Sequence, residues 1–253
     1  MYLVFDIGGT KTRLALSEDG QTLTSTKIVP TEKDFESEIA LISRITREVT
    51  SGEKLEAAAG GVAGVLSKEK DLLLTSPHLE SWAHKPLRIE LEEIFDAPVY
   101  LENDASLGGL GEAVYGAGKG HNIVAFVTVG TGVGGARIVQ GKIDASSQGF
   151  EPGHQIINMG GNTLEKYIAG SYLKEPINWD EVARYLAIGL NNTIVHWSPD
   201  IVVLGGSVIE KIPFDKLSVY LNEFLKIFTP PKIIKGLLGN EAGLHGGLSL
   251  LNQ

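Results

Sequence analysis

Asp6-Ile-Gly-Gly-Thr-Lys11 puts a carboxylate at a strand end, two glycines whose backbone N–H groups can approach an anion, and a hydroxyl close behind. Such a segment suits a magnesium-bound phosphate. Gly-Gly also closes ordinary β-hairpins, and this stretch alone leaves the two readings balanced. A second glycine turn, Gly130-Thr-Gly-Val-Gly-Gly135, follows the apolar run 123–129 and tips the balance toward phosphate. It leads into the strand-like stretch 134–140 and not into a helix, so it is not a dinucleotide fingerprint. Between them, Glu102-Asn-Asp-Ala-Ser106 lies where a strand meets a helix. Asp104 there stands in a capping position, and the helix N-terminus would hold it ionised, ready to accept a hydrogen bond from a substrate hydroxyl. One base, a metal and donors around the charge are what phosphoryl transfer asks of a protein.

A further set, Glu151-Pro-Gly-His154 with Glu165 eleven residues after the histidine, offers the several acceptors and donors that sugar hydroxyls need when they leave water. Taken singly, Glu151 and Glu165 read more readily as solvated surface charges. The histidines at 78, 84, 121, 196 and 245 have no metal-ligand spacing and read as surface or core residues. Pro199–Gly206 is a buried strand running into Gly205-Gly206. That ending suits a nucleobase or ribose lying on bare backbone, or is a plain strand end.

The elements that must position these residues follow from periodicity. Runs 2–7, 12–17 and 22–29, separated by tight-turn residues, predict three antiparallel strands. From Asp34 to Thr50, Phe35, Ile39, Ile42, Ile45 and Val49 make one helical face with Asp34 as its cap. Strands at 57–62, 98–101, 123–129 and 201–204 alternate with helices at 86–95 and 105–114, so the class is α/β. Each glycine turn follows a buried strand, which suggests two similar halves with a hinge near 104–116. The C-terminal helix could pack back on the first half. Net charge is −9, with 31 acidic against 22 basic residues, which disfavours a nucleic-acid partner. With 0 cysteines there is no disulfide framework and no thiolate metal site, and a cytoplasmic location is expected. Neither a signal peptide nor a membrane helix is expected.

These segments, in this order, resemble the ROK family (repressor, open reading frame, kinase). The resemblance rests on DIGGTK at 6–11, GGVAGVLSKEK at 60–70, SPHLESW at 76–82, END at 102–104, GTGVGG at 130–135, EPGH at 151–154, LE at 164–165 and PDIVVLGG at 199–206. It implies a two-lobed actin-like ATPase (ribonuclease H-like) fold with the active-site cleft between lobes. The N-terminal lobe would be 1–104, joined by the helix 241–253, and the C-terminal lobe 105–240. It implies a kinase carrying the γ-phosphoryl of Mg-ATP to a hexose hydroxyl, foremost the 6-hydroxyl of glucose or a related aldohexose, with Asp104 as base. Asn103, Asp104, Glu151, His154, Glu165 and the backbone of Gly64 would hold the sugar. Gly8, Gly9, Thr10, Lys11, Gly130, Thr131, Gly132, Gly205 and Gly206 would hold the nucleotide, with Asp6 reaching its magnesium through water. INMGGNT stands where most members carry a cysteine-rich zinc loop, so no zinc is implied, and zinc-free members include polyphosphate-using glucokinases. No DNA-binding extension is expected, and the short stretch from Glu165 to Trp197 leaves a homodimer open. The alternatives are an N-acetylhexosamine kinase, a catalytically silent sugar-binding regulator and an actin-like scaffold.

Overall fold

A computed structural model describes residues 1–24, 26–76 and 78–253. The chain opens with β1 (Tyr2–Ile7), β2 (Lys11–Ser17) and β3 (Thr26–Pro30), and α1 (Phe35–Thr50) crosses over to β4 (Ala57–Val62). The third strand starts at Thr26, so the expected run 22–29 is shorter at its beginning, and Ser25 within it lies outside the described residues. Asp34 caps α1 as its sequence position implies, accepting from the Ser37 amide at 2.9 Å. The small antiparallel pair β5 (Val65–Leu66) and β6 (Leu73–Thr75) precedes α2 (Leu87–Phe95) and β7 (Val99–Asn103). The sheet order is β3-β2-β1-β4-β7, with β1–β2 antiparallel and β1–β4 and β4–β7 parallel.

After α3 (Asp104–Val114), the same connectivity recurs. It comprises β8 (Ile123–Val129), β9 (Val133–Val139), β10 (Lys142–Ile143), the short α4 (Glu165–Ile168), α5 (Trp179–Trp197), β11 (Ile201–Gly205), α6 (Phe214–Phe224) and β12 (Lys232–Lys235). The order is β10-β9-β8-β11-β12, with two antiparallel and two parallel pairings, as in the first sheet. The two glycine turns therefore sit in equivalent hairpins, β1–β2 and β8–β9.

One core lies under the first sheet among Phe5, Ile42, Trp82 and Leu91, and another under the second among Val127, Leu186, Leu190 and Leu204. The C-terminal α7 (Ala242–Leu251) packs on β1, β2 and β4, and α3 packs on β8 and β9. The two helices cross at backbone contact. A Cβ on Gly111 would lie 2.1 Å from the Ala242 carbonyl oxygen and one on Gly246 2.0 Å from that of Leu107, so no side chain fits at either crossing point. No described helix is long and apolar enough to cross a membrane.

Candidate active site

The strand-to-helix junction at 103–104 differs from the sequence expectation in one respect. Asn103, not Asp104, is the cap of α3, accepting from the Ser106 amide at 3.0 Å. Its amide nitrogen donates to the carbonyl of Gly64 at 3.0 Å. Gly64 has φ +140°, where a Cβ would come within 2.5 Å of the Thr75 carbonyl oxygen, so glycine is required there. Asp104 becomes the first helical residue, with Oδ1 receiving the Ala105 amide at 2.9 Å and Asn103 at 3.3 Å.

Two cavities meet at this carboxylate. One, of about 510 Å³, is lined by Gly64, Asn103, Asp104, Glu151, His154 and Glu165. Gly130, Thr131 and Gly132 of the second glycine turn and Gly9 of the first also border it. The other, of about 470 Å³, is lined by Asp6, Arg13, Asp104, Gly205, Gly206 and Ser207. Asp104, Ala105 and Thr128 belong to both walls. Gly8, Thr10 and Lys11 line neither. Gly8 donates its amide to the Lys11 carbonyl at 3.0 Å, and Thr10 and Lys11 are exposed.

Burial and neighbouring carboxylates work against the expectation that the helix N-terminus keeps Asp104 ionised. Burial comes first, the neighbouring carboxylates of Asp6 and Glu151 add to it, and the Ala105 amide opposes only in part, so the group is pushed up to about 7. Asp6 is also raised by burial, against the attraction of Arg13, whose Nη1 donates to Asp6 Oδ2 at 2.9 Å. Glu151 opens to solvent from the cavity wall, yet removal of water from its carboxyl and the nearby Glu165 raise it while His154 opposes them. Glu165 begins α4 and accepts the Val133 amide at 2.8 Å, tying the helix to the end of the second glycine turn.

Sequence reasoning missed four residues of these walls. His78, read as surface or core, borders the larger cavity against Gly9, where a Cβ would come within 2.5 Å of its own. Its neighbour Pro77, part of the SPHLESW resemblance, lies outside the described residues. Thr128 left no local signal. Arg13 left one, a charge inside the otherwise half-apolar strand KTRLALS directly after the glycine turn. Glu112 on α3 is buried and accepts three amides, from Ala117 at 2.9 Å, Leu237 at 3.0 Å and Leu238 at 2.8 Å. It thereby holds the loop that carries Gly236 and Gly239, which line the smaller cavity.

A duplicated α/β fold with glycine hairpins and a buried carboxylate at the meeting point of two cavities is that of the actin-like ATPases. The chain belongs to the ROK family, whose family model matches residues 2–174. It is similar to the ROK hexokinase from Thermus thermophilus, at 28% identity and a TM-score of 0.87 over 99% of this chain and 98% of that one. The ROK glucokinase from Streptomyces griseus, solved in complex with glucose and AMPPNP, is 25% identical with a TM-score of 0.83, covering 98% of each chain. The glucokinase of Thermotoga maritima is 34% identical over 62% of this chain and 50% of its own length, so that match spans half of the enzyme.

Proposed function

We propose that the chain is a cytoplasmic, zinc-free sugar kinase that transfers the γ-phosphoryl of ATP to the 6-hydroxyl of glucose or a related aldohexose. The observation that carries this reading is Asp104 on the wall shared by both cavities, because an acceptor hydroxyl and a phosphate donor must meet at one base. In this reading the cleft closes between a lobe made of 1–104 with 241–253 and a lobe made of 105–240. The larger cavity takes the sugar, with Asn103, Glu151, His154, Glu165 and the Gly64 backbone pairing its hydroxyls. The smaller cavity takes the nucleotide against Gly205-Gly206. The second glycine turn, which borders the sugar cavity, faces the transferred phosphoryl.

Asp104 accepts the hydroxyl proton as the sugar oxygen attacks. Because Oδ1 is engaged by Ala105 and Asn103, Oδ2 is the oxygen for the proton. Its affinity near pH 7 suits a base that must hold a proton briefly and release it. Asp6 and Asp104, two carboxylates in one poorly solvated corner, have the charge and oxygen chemistry for magnesium, Asp6 through water. When bound, the ion neutralises charge on the phosphate chain.

A second reading has a specific observation behind it. A cavity of about 280 Å³ adjoins the sugar side, sharing Gly64, Asn103 and Glu151 and bounded by the 144–150 loop. It offers room for a substituent, as an N-acetylhexosamine would need. The test is a coupled product-release screen over glucose, mannose and their N-acetylamino derivatives, with ATP and with polyphosphate as donors. Turnover of an unsubstituted hexose with ATP supports the first reading, and preference for an N-acetyl sugar the second. Hexose binding with no turnover from either donor makes the chain a sugar-binding regulator.

A further inference from the structure

His154 and Glu165, two of the groups on the larger cavity, are joined by a short hairpin, 155–164. At its base the Leu164 amide donates to the Gln155 carbonyl at 3.0 Å, followed by the antiparallel bridge Ile156–Thr163 and a bond from the Ile157 amide to the Asn162 carbonyl at 3.0 Å. The two sides are anchored unequally. On the Glu165 side, Leu164 is buried over Gly189 of α5, where a Cβ would stand 2.3 Å from its Cδ2, and Glu165 holds the Val133 amide. On the other side His154 and Ile156 are exposed, and the side chain between them is the polar Gln155. Gln155 Nε2 donates to the Pro152 carbonyl at 2.7 Å, inside the Glu151–His154 turn, and to that of Gly189 at 3.4 Å, while Oε1 accepts from Asn192 Nδ2 of α5 at 2.8 Å. At the tip, Asn158 Oδ1 accepts the amides of Gly160 and Asn162 at 2.9 and 3.2 Å, closing the turn on one side chain. Asn158 and Asn162 donate through Nδ2 to the Tyr167 hydroxyl at 2.6 and 3.2 Å, and the Tyr167 ring stacks on Tyr185 of α5 with centroids 4.0 Å apart. Gln155, Tyr167 and Asn192 line neither cavity.

Resting on the assignment of the larger cavity to the sugar, we propose that Gln155 is a positioning residue for the acceptor. Held between the Pro152 carbonyl and the Asn192 amide of α5, it sets where His154 stands relative to Glu165, and the Asn158–Tyr167–Asn162 cluster keeps the hairpin from swinging. A side chain with both ends engaged fixes one arrangement, because losing one partner leaves the other unpaired. The sugar hydroxyls that His154 and Glu165 pair lose good geometry when either group moves by about 1 Å. Asp104 lies outside the hairpin on α3. Loosening the brace therefore acts on how well the acceptor is held and not on proton removal, which places its effect in KM and leaves kcat.

Calorimetry on the full chain with glucose, N-acetylglucosamine and Mg-AMPPNP as probes, together with turnover, separates the outcomes. Gln155→Leu keeps roughly the side chain's size and loses its hydrogen bonds. For whichever sugar the parent binds, Kd and KM are expected to rise at least about threefold, the effect of one lost hydrogen bond, while kcat and AMPPNP affinity stay within about twofold. Asn192→Ala removes the α5 end of the same bond and carries the test if Gln155→Leu does not fold. The double variant should be no worse than Gln155→Leu alone, because both changes break one contact, and losses that multiply would overturn the shared brace. Gln155→Glu keeps an acceptor for Asn192 and loses the donor to Pro152, so it should recover part of the sugar affinity. Sugar affinity changed by less than about threefold in Gln155→Leu and Asn192→Ala, with only the thermal midpoint lowered, would overturn the proposal and leave Gln155 as a structural bond. A fall of kcat and donor affinity in step with sugar affinity would overturn it too, as a general loosening. A parent that binds neither sugar refutes the assignment of the larger cavity itself, and the role of Gln155 with it.

Discussion

Replacing Asp104 by Asn keeps the side chain's size and an acceptor for the Ala105 amide, now 2.9 Å away, but removes the atom that takes a proton. On the kinase reading kcat falls by about 10²–10⁴-fold, the usual contribution of a general base. Stability should move the other way. The parent carboxyl is held at about 7 instead of its ordinary 3.8, so the folded protein binds that proton more tightly than the unfolded chain does. The stability this supplies is fully present below about pH 4 and is lost as pH rises through about 7, at most about 4 kcal/mol at roughly 1.4 kcal/mol per tenfold change in proton affinity. Asp104→Asn has no such loss, because an amide does not titrate, and the helix keeps its cap in Asn103. Urea unfolding of both proteins at pH 5 and pH 8 should show the variant gaining on the parent as pH rises. Over the same range the kcat/KM of the parent should climb, since only the unprotonated base works. Near-normal turnover of the variant, or activity lost only in step with folding, would make Asp104 structural. A stability difference that does not grow with pH would refute the electrostatic reasoning.

Other positions offer separate checks. A methyl at Gly130 meets nothing within 4 Å, so Gly130→Ala should leave stability within about 0.5 kcal/mol while weakening the donor about tenfold, which calorimetry reads directly. Gly132→Val differs, because its Cβ would stand 2.9 Å from Glu165 Oε2. Both sugar and donor affinity should fall, whereas the glycine turn viewed alone in the sequence implies donor loss only, and calorimetry showing selective donor loss would favour that simpler view. Glu112→Gln cannot accept all three amides of Ala117, Leu237 and Leu238. It should cost about 3 kcal/mol, seen as a lowered thermal midpoint, and should weaken nucleotide binding through the loop that lines its cavity; an unchanged midpoint would dismiss the clamp. Without cysteine, purified protein should carry no stoichiometric zinc, and one tight zinc per chain in metal analysis would contradict this.

Much of the fold was legible because its signals are local. The capping Asp34, the helical stripe from Phe35 to Val49, and a glycine turn after each of the runs 2–7 and 123–129 can each be read within a few residues, and periodicity decides the element type. The motifs also name the groups that gather on the larger cavity, since Asn103, Asp104, Glu151, His154 and Glu165 are chemically conspicuous in any order. Where local reading failed, a contact distant in sequence decided the matter. Beyond the SPHLESW likeness, His78 has no partner spacing that marks it, and its place on the wall comes from packing against Gly9. Asp104 read as an ionised cap because a helix start favours a carboxylate, but that preference is weak beside the loss of water and the approach of Asp6 and Glu151.

The sequence by itself determined the α/β class, the two glycine hairpins and which side chains are candidates for chemistry, because hydrogen bonding and side-chain periodicity act over a few residues. Only the tertiary structure decided that Asp6 pairs with Arg13, that the second glycine turn is tied to Glu165, and that Asp104 stands between two cavities. Those outcomes depend on which strands lie side by side and on how much water is excluded where they meet, and both are set by the packing of residues far apart along the chain.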